Sequence, residues 1–145
     1  MTLYAESSAV LAWLLGQPSG EAVAAALAGA SAVVTSDLTL IECERVLRRL
    51  AAGAAGAGGG QKEAVEALRA RLALVVEAWA VEPIAPRVVA RARQGFPDDA
   101  IRTLDAIHLA TAVCLGEVLD DLAVVSLDDR VRLNALALGL RVQPA

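Results

Sequence analysis

The sequence predicts an α/β fold with a mostly parallel sheet and helices on both faces of that sheet. Short apolar or β-branched runs alternate along the chain with longer segments in which apolar residues recur at helical spacing. No internal repeat interrupts this alternation. The chain has 145 residues, enough to bury one core of its own, so we expect a single domain over residues 1–145.

The predicted strands are short runs of apolar and β-branched residues, the composition that suits a pleated, buried surface. In chain order they lie at residues 2–5, at 32–35, within 75–81, at 122–126 and at 140–142. The third run ends near Pro83. Because each strand is followed by a helical segment, the connections favour parallel pairing.

The predicted helices lie, in chain order, at residues 9–15, 21–28, 37–50, 61–74, 86–94, 104–115 and 129–138. Several of them follow a residue that can cap or open a helix. These residues are Ser7 or Ser8, Ser36, Pro86, Thr103 and Asp128. The Gly-rich stretch at residues 51–60 predicts a flexible connection between two helices, because glycine is unfavourable inside a helix.

Composition excludes several classes of protein. No apolar run reaches the roughly 18 residues that a membrane span needs, and the N-terminus lacks the pattern of a signal peptide. Cys43 and Cys114 lie in helical patterns without metal-ligand spacing, so we expect both to be buried core residues and the protein to be cytoplasmic. The net charge of -4 argues against a protein that coats nucleic acid without specificity. It does not exclude RNA binding, because a local basic surface can lie beside an acidic cluster.

Four acids fall where strands pass into helices. Glu6 and Asp128 each follow a predicted strand, while Glu42 and Asp105 lie near the starts of predicted helices. Ligands of open parallel sheets bind beyond the carboxyl ends of the strands, so these four side chains are expected to converge there. Four close carboxylates repel one another, and a divalent cation such as Mg²⁺ or Mn²⁺ removes that repulsion. Such a metal also activates water for attack on phosphorus.

Each of these residues also has a simpler structural explanation. Glu6 fits a surface acid, Glu42 fits an ion pair with Arg45, and Asp105 fits an acid that interacts with the helix dipole. Asp128 fits a helix cap, and His108 fits a hydrogen-bonded core histidine better than a catalytic base. Six arginines are candidate phosphate contacts, although solvated helix faces explain most of them equally well: Arg45, Arg48, Arg49, Arg91, Arg93 and Arg102.

The chain resembles the PIN-domain proteins, and in particular the toxin ribonucleases of VapBC-type toxin–antitoxin pairs. Four segments carry the resemblance: YAESSAVLAWLL, TSDLTLIECERVLRRL, IRTLDAIHLATA and VVSLDDRVRLNALALGLRV. Of these, IRTLDAIHLATA is the most specific. Aligned with the family pattern, they give the family's acids as Glu6, Glu42, Asp105 and Asp128, with Ser126 in the position of the usual Thr.

The resemblance implies a three-layer α/β/α sandwich, RNA cleavage that depends on Mg²⁺ or Mn²⁺, frequent homodimers and inhibition by a small cognate antitoxin. It implies that the four acids hold the metal and activate water. Ser7 and Ser126 would support them through hydrogen bonds, and Asp129 is a weaker candidate for that role.

The sequence departs from the family pattern at Glu6, where Asp is usual. Glutamate is longer by one methylene and has one more torsion to fix, and small misplacements of a catalytic group are costly. The four acids and the IRTLDAIHLATA segment nevertheless make a metal-dependent endoribonuclease the leading hypothesis. A PIN-fold module that binds RNA or antitoxin without turnover is the alternative. A phosphatase with an Asp nucleophile fits poorly, since no Asp-x-Asp follows the first strand.

Overall fold

A five-stranded parallel sheet forms the centre of the computed structural model, which describes residues 1–53 and 60–144. Its strands are β1 (Thr2–Ala5), β2 (Ala32–Ser36), β3 (Ala80–Glu82), β4 (Leu122–Val125) and β5 (Arg141–Gln143). They are arranged in the order β3-β2-β1-β4-β5, and every neighbouring pair is parallel. The central strand β1 therefore lies between β2 and β4.

The helices of the described residues connect these strands. They are α1 (Ser7–Leu14), α2 (Gly20–Ala28), α3 (Asp37–Gly53), α4 (Gly60–Val76), α5 (Pro86–Ala92), α6 (Thr103–Gly116) and α7 (Asp129–Ala137). Helices α1 to α4 contact one another, and α5 and α7 each contact α6. None of these helices combines the length and apolar character needed to cross a membrane.

Alternate residues of the sheet face two separate layers of helices. Tyr4 and Val124 are buried against residues of α5, α6 and α7. Their neighbours Ala5 and Val125 point the other way, toward the helices of the α1–α4 layer. This period of two is the geometry of a strand with both faces covered. The predicted three-layer α/β/α sandwich is confirmed.

The predicted elements are all present, with differences at their ends. The strand expected within residues 75–81 is confined to β3, because Val76 ends α4 and packs against the core of the α1–α4 layer. The cap of α1 is Glu6, not Ser7 or Ser8, which are the first helical residues. Thr103 likewise begins α6, and Arg102 occupies the cap position. Of the connection predicted at residues 51–60, α3 includes 51–53 and α4 begins at 60, while 54–59 lie outside the described residues.

The topology brings three strand ends to one edge of the sheet. Glu6 directly follows β1, Ser36 ends β2 at the start of α3, and Ser126 directly follows β4. Because these strands are neighbours and parallel, the side chains that follow them lie side by side. Cys43 and Cys114 are buried free thiols, as expected.

Candidate acidic site at the carboxyl edge of the sheet

Glu6 lies at the centre of this edge and is almost completely buried, with 4% of its surface exposed. Its Oε1 accepts hydrogen bonds from Ser7 Oγ at 2.7 Å and from the Ser8 amide at 3.1 Å. Its Oε2 accepts from Ser126 Oγ at 2.8 Å and from Ser8 Oγ. A carboxylate offers about four lone-pair positions, so these four donors together use its hydrogen-bonding capacity.

The serines around Glu6 also connect two loops. Ser8 Oγ accepts from the Leu127 amide at 2.9 Å, and Ser126 Oγ accepts from the Asp128 amide at 3.1 Å. The segment after β4 is therefore tied to the segment after β1. Ser7 and Ser126 were singled out from the sequence, whereas Ser8 was considered only as a cap. Its position two residues after Glu6, at a helix start, is the signal that could have identified it.

Glu42 approaches the same edge from α3. Ser36 Oγ accepts from the Thr39 amide at 3.3 Å, which helps to start this helix after β2. The Glu42 Oε2 atom lies 2.6 Å from His108 Nε2, and no ion pair with Arg45 forms among the described residues. Partial burial acts to raise the pKa of Glu42, but the hydrogen bond and charge interaction with His108 outweigh it and lower that pKa. Glu42 is therefore an ionised acceptor.

His108 is a buried residue of α6 and has 2% of its surface exposed. Its Nδ1 lies 2.9 Å from Tyr4 Oη, and its Nε2 lies 3.7 Å from Glu6 Oε1. The sequence predicted a hydrogen-bonded core histidine, and the burial and contacts agree. One partner of His108, however, is a candidate site acid. The sequence signal is its spacing from Asp105, because residues three apart share a helix face.

Asp105 and Asp128 lie at the N-terminal ends of α6 and α7. Asp105 Oδ2 accepts from the Arg102 amide at 3.3 Å, and Asp128 Oδ1 accepts from the amides of Arg130 at 2.8 Å and Val131 at 3.2 Å. Asp128 is thus the predicted cap of its helix. Loss of solvent raises the pKa of Asp105, and the negative charges of Asp128 and Glu6 raise it further. The three acids are therefore close enough to interact through their charges.

The structure brings the predicted acids together to different degrees. Ligand atoms of Glu6, Glu42 and His108 lie within 4.8 Å of one another. Asp105 and Asp128 lie outside this group, and the charges of Asp128 and Glu6 both act on the pKa of Asp105. Asp129, the weaker candidate, is exposed in the first turn of α7.

The charge of these acids has little compensation. Among the described residues, no Lys or Arg forms an ion pair with Glu6, Glu42, Asp105 or Asp128. His108 Nε2 lies 3.7 Å from Glu6 Oε1 and 2.6 Å from Glu42 Oε2, so His108 is the basic side chain in contact with two of these acids. Carboxylate oxygens in this arrangement are the hard ligands that suit a divalent cation such as Mg²⁺ or Mn²⁺. The edge could therefore hold a metal ion.

Comparisons with known proteins agree with this geometry. The sequence model of the PIN domain matches residues 3–137. Ribonuclease VapC35 of Mycobacterium tuberculosis, in strains CDC 1551 and H37Rv, is 30% identical over 142 residues, which cover 97% of this chain and 94% of the relative.

Solved structures share the fold. FitAcB from Neisseria gonorrhoeae superposes with a TM-score of 0.67 at 21% identity, over 98% of this chain and 96% of the other. VapC20 of Mycobacterium tuberculosis, a toxin that cleaves the sarcin–ricin loop, gives 0.63 at 17% identity, over 95% of each chain. VapBC2 from Rickettsia felis, bound to promoter DNA, gives 0.65 at 10% identity, over 99% and 98%. At these identities the likeness concerns the fold alone.

The raised pKa of Asp105 has a consequence for stability. An acid whose pKa is higher in the folded state than in the unfolded state destabilises the fold at any pH at which it is ionised. The Asp105→Asn variant keeps an oxygen that can accept from the Arg102 amide and removes the charge. We therefore expect its melting temperature at pH 7, measured in a metal chelator, to exceed that of the wild type. The difference should shrink as the pH falls through the pKa of Asp105. A lower melting temperature of the variant at pH 7 would show that the charge of Asp105 does not destabilise the fold.

Proposed function

Because the chain belongs to the PIN-domain family, we propose that it is a metal-dependent endoribonuclease that hydrolyses RNA phosphodiester bonds as the toxin of a type II toxin–antitoxin system. One observation carries this proposal. Glu6, Glu42, Asp105 and Asp128 gather at the carboxyl edge of a parallel sheet, and none of them forms an ion pair with Lys or Arg among the described residues. The ribonuclease relative that is 30% identical over nearly the whole chain supports the same activity.

The oxygen donors at this edge fit Mg²⁺ or Mn²⁺. In the described residues, Asp105 and Asp128 each have one carboxylate oxygen bonded to the backbone of their own helix start and a second without a hydrogen bond. We assign metal binding to these two residues with Glu42 and Glu6. A bound divalent cation would supply charge neutralisation and an activated water for attack on phosphorus. The second oxygens of Asp105 and Asp128 are thus the ones free to face that cation.

The remaining residues of the edge hold these acids in place. Ser7, Ser8 and Ser126 fix the carboxylate of Glu6, and His108 fixes that of Glu42. Hydrogen bonds of this kind orient ligands and raise metal affinity. Ser7 and Ser126 therefore have the supporting role that the sequence suggests, and we add Ser8 to them. Asp129 is exposed and does not share these contacts among the described residues.

Two arginines beside Glu42 support RNA as the substrate. Arg45 and Arg49 line a cavity of about 340 Å³ together with Glu42, and neither forms an ion pair among the described residues. Arg48, between them, pairs with Glu44 at 3.1 Å, and Arg91 lies over the ring of Phe96. Guanidinium groups bind phosphate in a planar, bidentate manner. Arg45 and Arg49 are therefore our candidates for contacts with backbone phosphates near Glu42.

The proposed role also implies partners. Several solved structures with this fold are toxin–antitoxin complexes, including VapBC2 and FitAB, and we propose a small antitoxin and a homodimer for this chain as well. Ile41 and Leu104 support a protein partner near the site, since they are 53% and 43% exposed beside the same cavity. An enzyme acting on cellular RNA would be located in the cytoplasm.

The environment of Glu6 favours one alternative, a PIN-fold module that binds RNA or antitoxin without cleavage. All four hydrogen-bonding positions of the Glu6 carboxylate are used by Ser7, Ser8 and Ser126. A direct bond from Glu6 to a metal would have to displace one of these donors. If that displacement does not occur, the site keeps its fold and charge but lacks one ligand.

The proposed activity is tested by metal titration and RNA cleavage with the same protein. Calorimetric titration should detect Mn²⁺ binding to the wild type and none to Asp105→Asn, while a single-stranded RNA should be cut only by the wild type with Mg²⁺ or Mn²⁺ present. The exposed Asp120→Asn variant is the matched control and should behave like the wild type. Wild-type protein that neither binds Mn²⁺ nor cleaves RNA would exclude the proposed function.

The role of the arginines is tested by salt dependence. Binding of a fluorescent RNA to the inactive Asp105→Asn protein should weaken on Arg45→Gln or Arg49→Gln substitution. Each lost phosphate contact should reduce the slope of log K against log salt by about 0.7, the value for a single strand. Arg48→Gln, on the same helix but paired with Glu44, serves as the control and should leave the slope unchanged. Equal slopes for all three variants would remove Arg45 and Arg49 from the RNA interface.

Substitution of Glu6 separates the enzyme from the binding module. If the chain is an active nuclease, Glu6→Gln should lower both Mn²⁺ affinity and RNA cleavage, because it removes the charge of one proposed metal ligand. If it is a binding module, wild-type protein should bind RNA without cutting it, and Glu6→Asp should create cleavage. Cleavage by the wild type that Glu6→Gln does not lower would show that Glu6 has no part in the reaction.

A further inference from the structure

A buried chain of hydrogen bonds reaches Glu42 from the far side of the central sheet. It runs from Ser36 Oγ to Tyr4 Oη at 3.1 Å, from Tyr4 Oη to His108 Nδ1 at 2.9 Å, and from His108 Nε2 to Glu42 Oε2 at 2.6 Å. Its members come from β2, β1, α6 and α3 in turn. Ser36, Tyr4 and His108 are each at most 2% exposed, so water does not compete for these contacts.

The hydrogens of this chain can be placed one by one. A carboxylate can only accept, so His108 Nε2 carries the hydrogen in its 2.6 Å contact with Glu42. In a neutral imidazole, Nδ1 then has a lone pair, and Tyr4 Oη must donate to it. Tyr4 has thereby used its hydrogen and accepts from Ser36 Oγ, which itself accepts from the Thr39 amide. In this arrangement each contact between Ser36 and Glu42 has one donor and one acceptor.

From these contacts we infer that His108 is a positioning residue for Glu42, and that Tyr4 holds the His108 ring so that Nε2 faces Glu42. The inference rests on the proposed metal-dependent nuclease and extends its machinery from His108 to Tyr4. His108 is not a metal ligand, because its Nε2 hydrogen points toward the acids and its Nδ1 is bonded to Tyr4. The hydrogen bond holds Oε2 of Glu42 in a fixed place, so the carboxylate does not need to be oriented by the metal.

The opposite tautomer would disrupt the edge. With its hydrogen on Nδ1, His108 would present a bare Nε2 lone pair to the Glu42 carboxylate at 2.6 Å and to Glu6 at 3.7 Å. Glu42 would then turn away, or Nε2 would be free to bind a metal itself. The Glu42 carboxylate, which can only accept, therefore requires the hydrogen on Nε2. Tyr4 Oη lies 2.9 Å from Nδ1 and 3.1 Å from Ser36 Oγ and holds the ring in the position in which Nε2 faces Glu42.

The first test is a spectrum of the metal-free protein. His108 is the single histidine of the chain, so nitrogen NMR of the imidazole gives one pair of signals without assignment. We expect a protonated Nε2 in the wild type, both before and after addition of diamagnetic Mg²⁺. An unprotonated Nε2 in the metal-free protein, or loss of the Nε2 hydrogen when Mg²⁺ is added, would overturn the inference.

Variants then separate positioning from general stability. Tyr4→Phe removes only the Oη donor, and Thr35→Val is its control, because Thr35 is a buried hydroxyl of the same sheet that bonds Ala5 O and not His108. We expect Tyr4→Phe to shift the imidazole nitrogen signals of His108. It should also weaken Mg²⁺ binding by about 10- to 100-fold, the usual cost of losing a group that orients a metal-binding side chain. Thr35→Val should change neither. Equal effects of the two variants on Mg²⁺ affinity would reduce Tyr4 to a structural residue.

Replacement of His108 completes the test. His108→Gln can still donate an amide hydrogen toward Glu42, whereas His108→Ala cannot, so the glutamine variant should retain more Mg²⁺ affinity and more kcat with an unchanged KM for RNA. Identical losses in both variants would argue against a hydrogen-bonding role. Mg²⁺ affinity is measured without turnover. A wild type with the expected tautomer and Mg²⁺ response but no RNA cleavage would therefore overturn the nuclease function and leave the positioning of Glu42 intact.

Discussion

Mutual repulsion of carboxylates is the constraint on which the organisation of this molecule depends. A parallel sheet in the order β3-β2-β1-β4-β5 brings the ends of three neighbouring strands to one edge, and acids follow or flank each of them. Loss of solvent is the main cause that raises the pKa of Asp105, and the charges of Asp128 and Glu6 add to it, as such repulsion predicts. A cation bound at this edge would relieve it.

The chain holds each acid by a different local means. Helix starts supply backbone amides to Asp105 and Asp128, three serines surround Glu6, and a buried histidine holds Glu42. Hydrogen bonds to an ionised carboxylate stabilise its charged form, so these contacts offset part of the repulsion while they fix orientation. Three of the acids, Glu42, Asp105 and Asp128, keep an oxygen without a hydrogen bond among the described residues. Glu6, by contrast, has both oxygens hydrogen-bonded.

The position of Glu6 links the structure to the question of activity. The family that the sequence resembles usually has the shorter Asp at this position. The longer Glu6 side chain folds back onto the start of α1, where Ser7 and Ser8 bond it. The same substitution thus explains how the edge is stabilised and why the carboxylate is less available. Membership of the PIN-domain family and the ribonuclease relative support an enzymatic function. For Glu6 to bind a metal directly, one of its present hydrogen bonds would have to be displaced.

The sequence by itself determined the alternation of strands and helices and the three-layer fold, because periodicity and capping are local properties of the chain. It also predicted four acids as the site, from their positions where strands pass into helices. It placed the end of α4 and the caps of α1 and α6 incorrectly, since packing of Val76 and the reach of Glu6 depend on distant residues. Only the tertiary structure decided that His108 joins Tyr4 to Glu42, residues 104 and 66 positions away in sequence. Contacts at that separation have no periodic signal, because they arise where elements from opposite faces of the sheet meet.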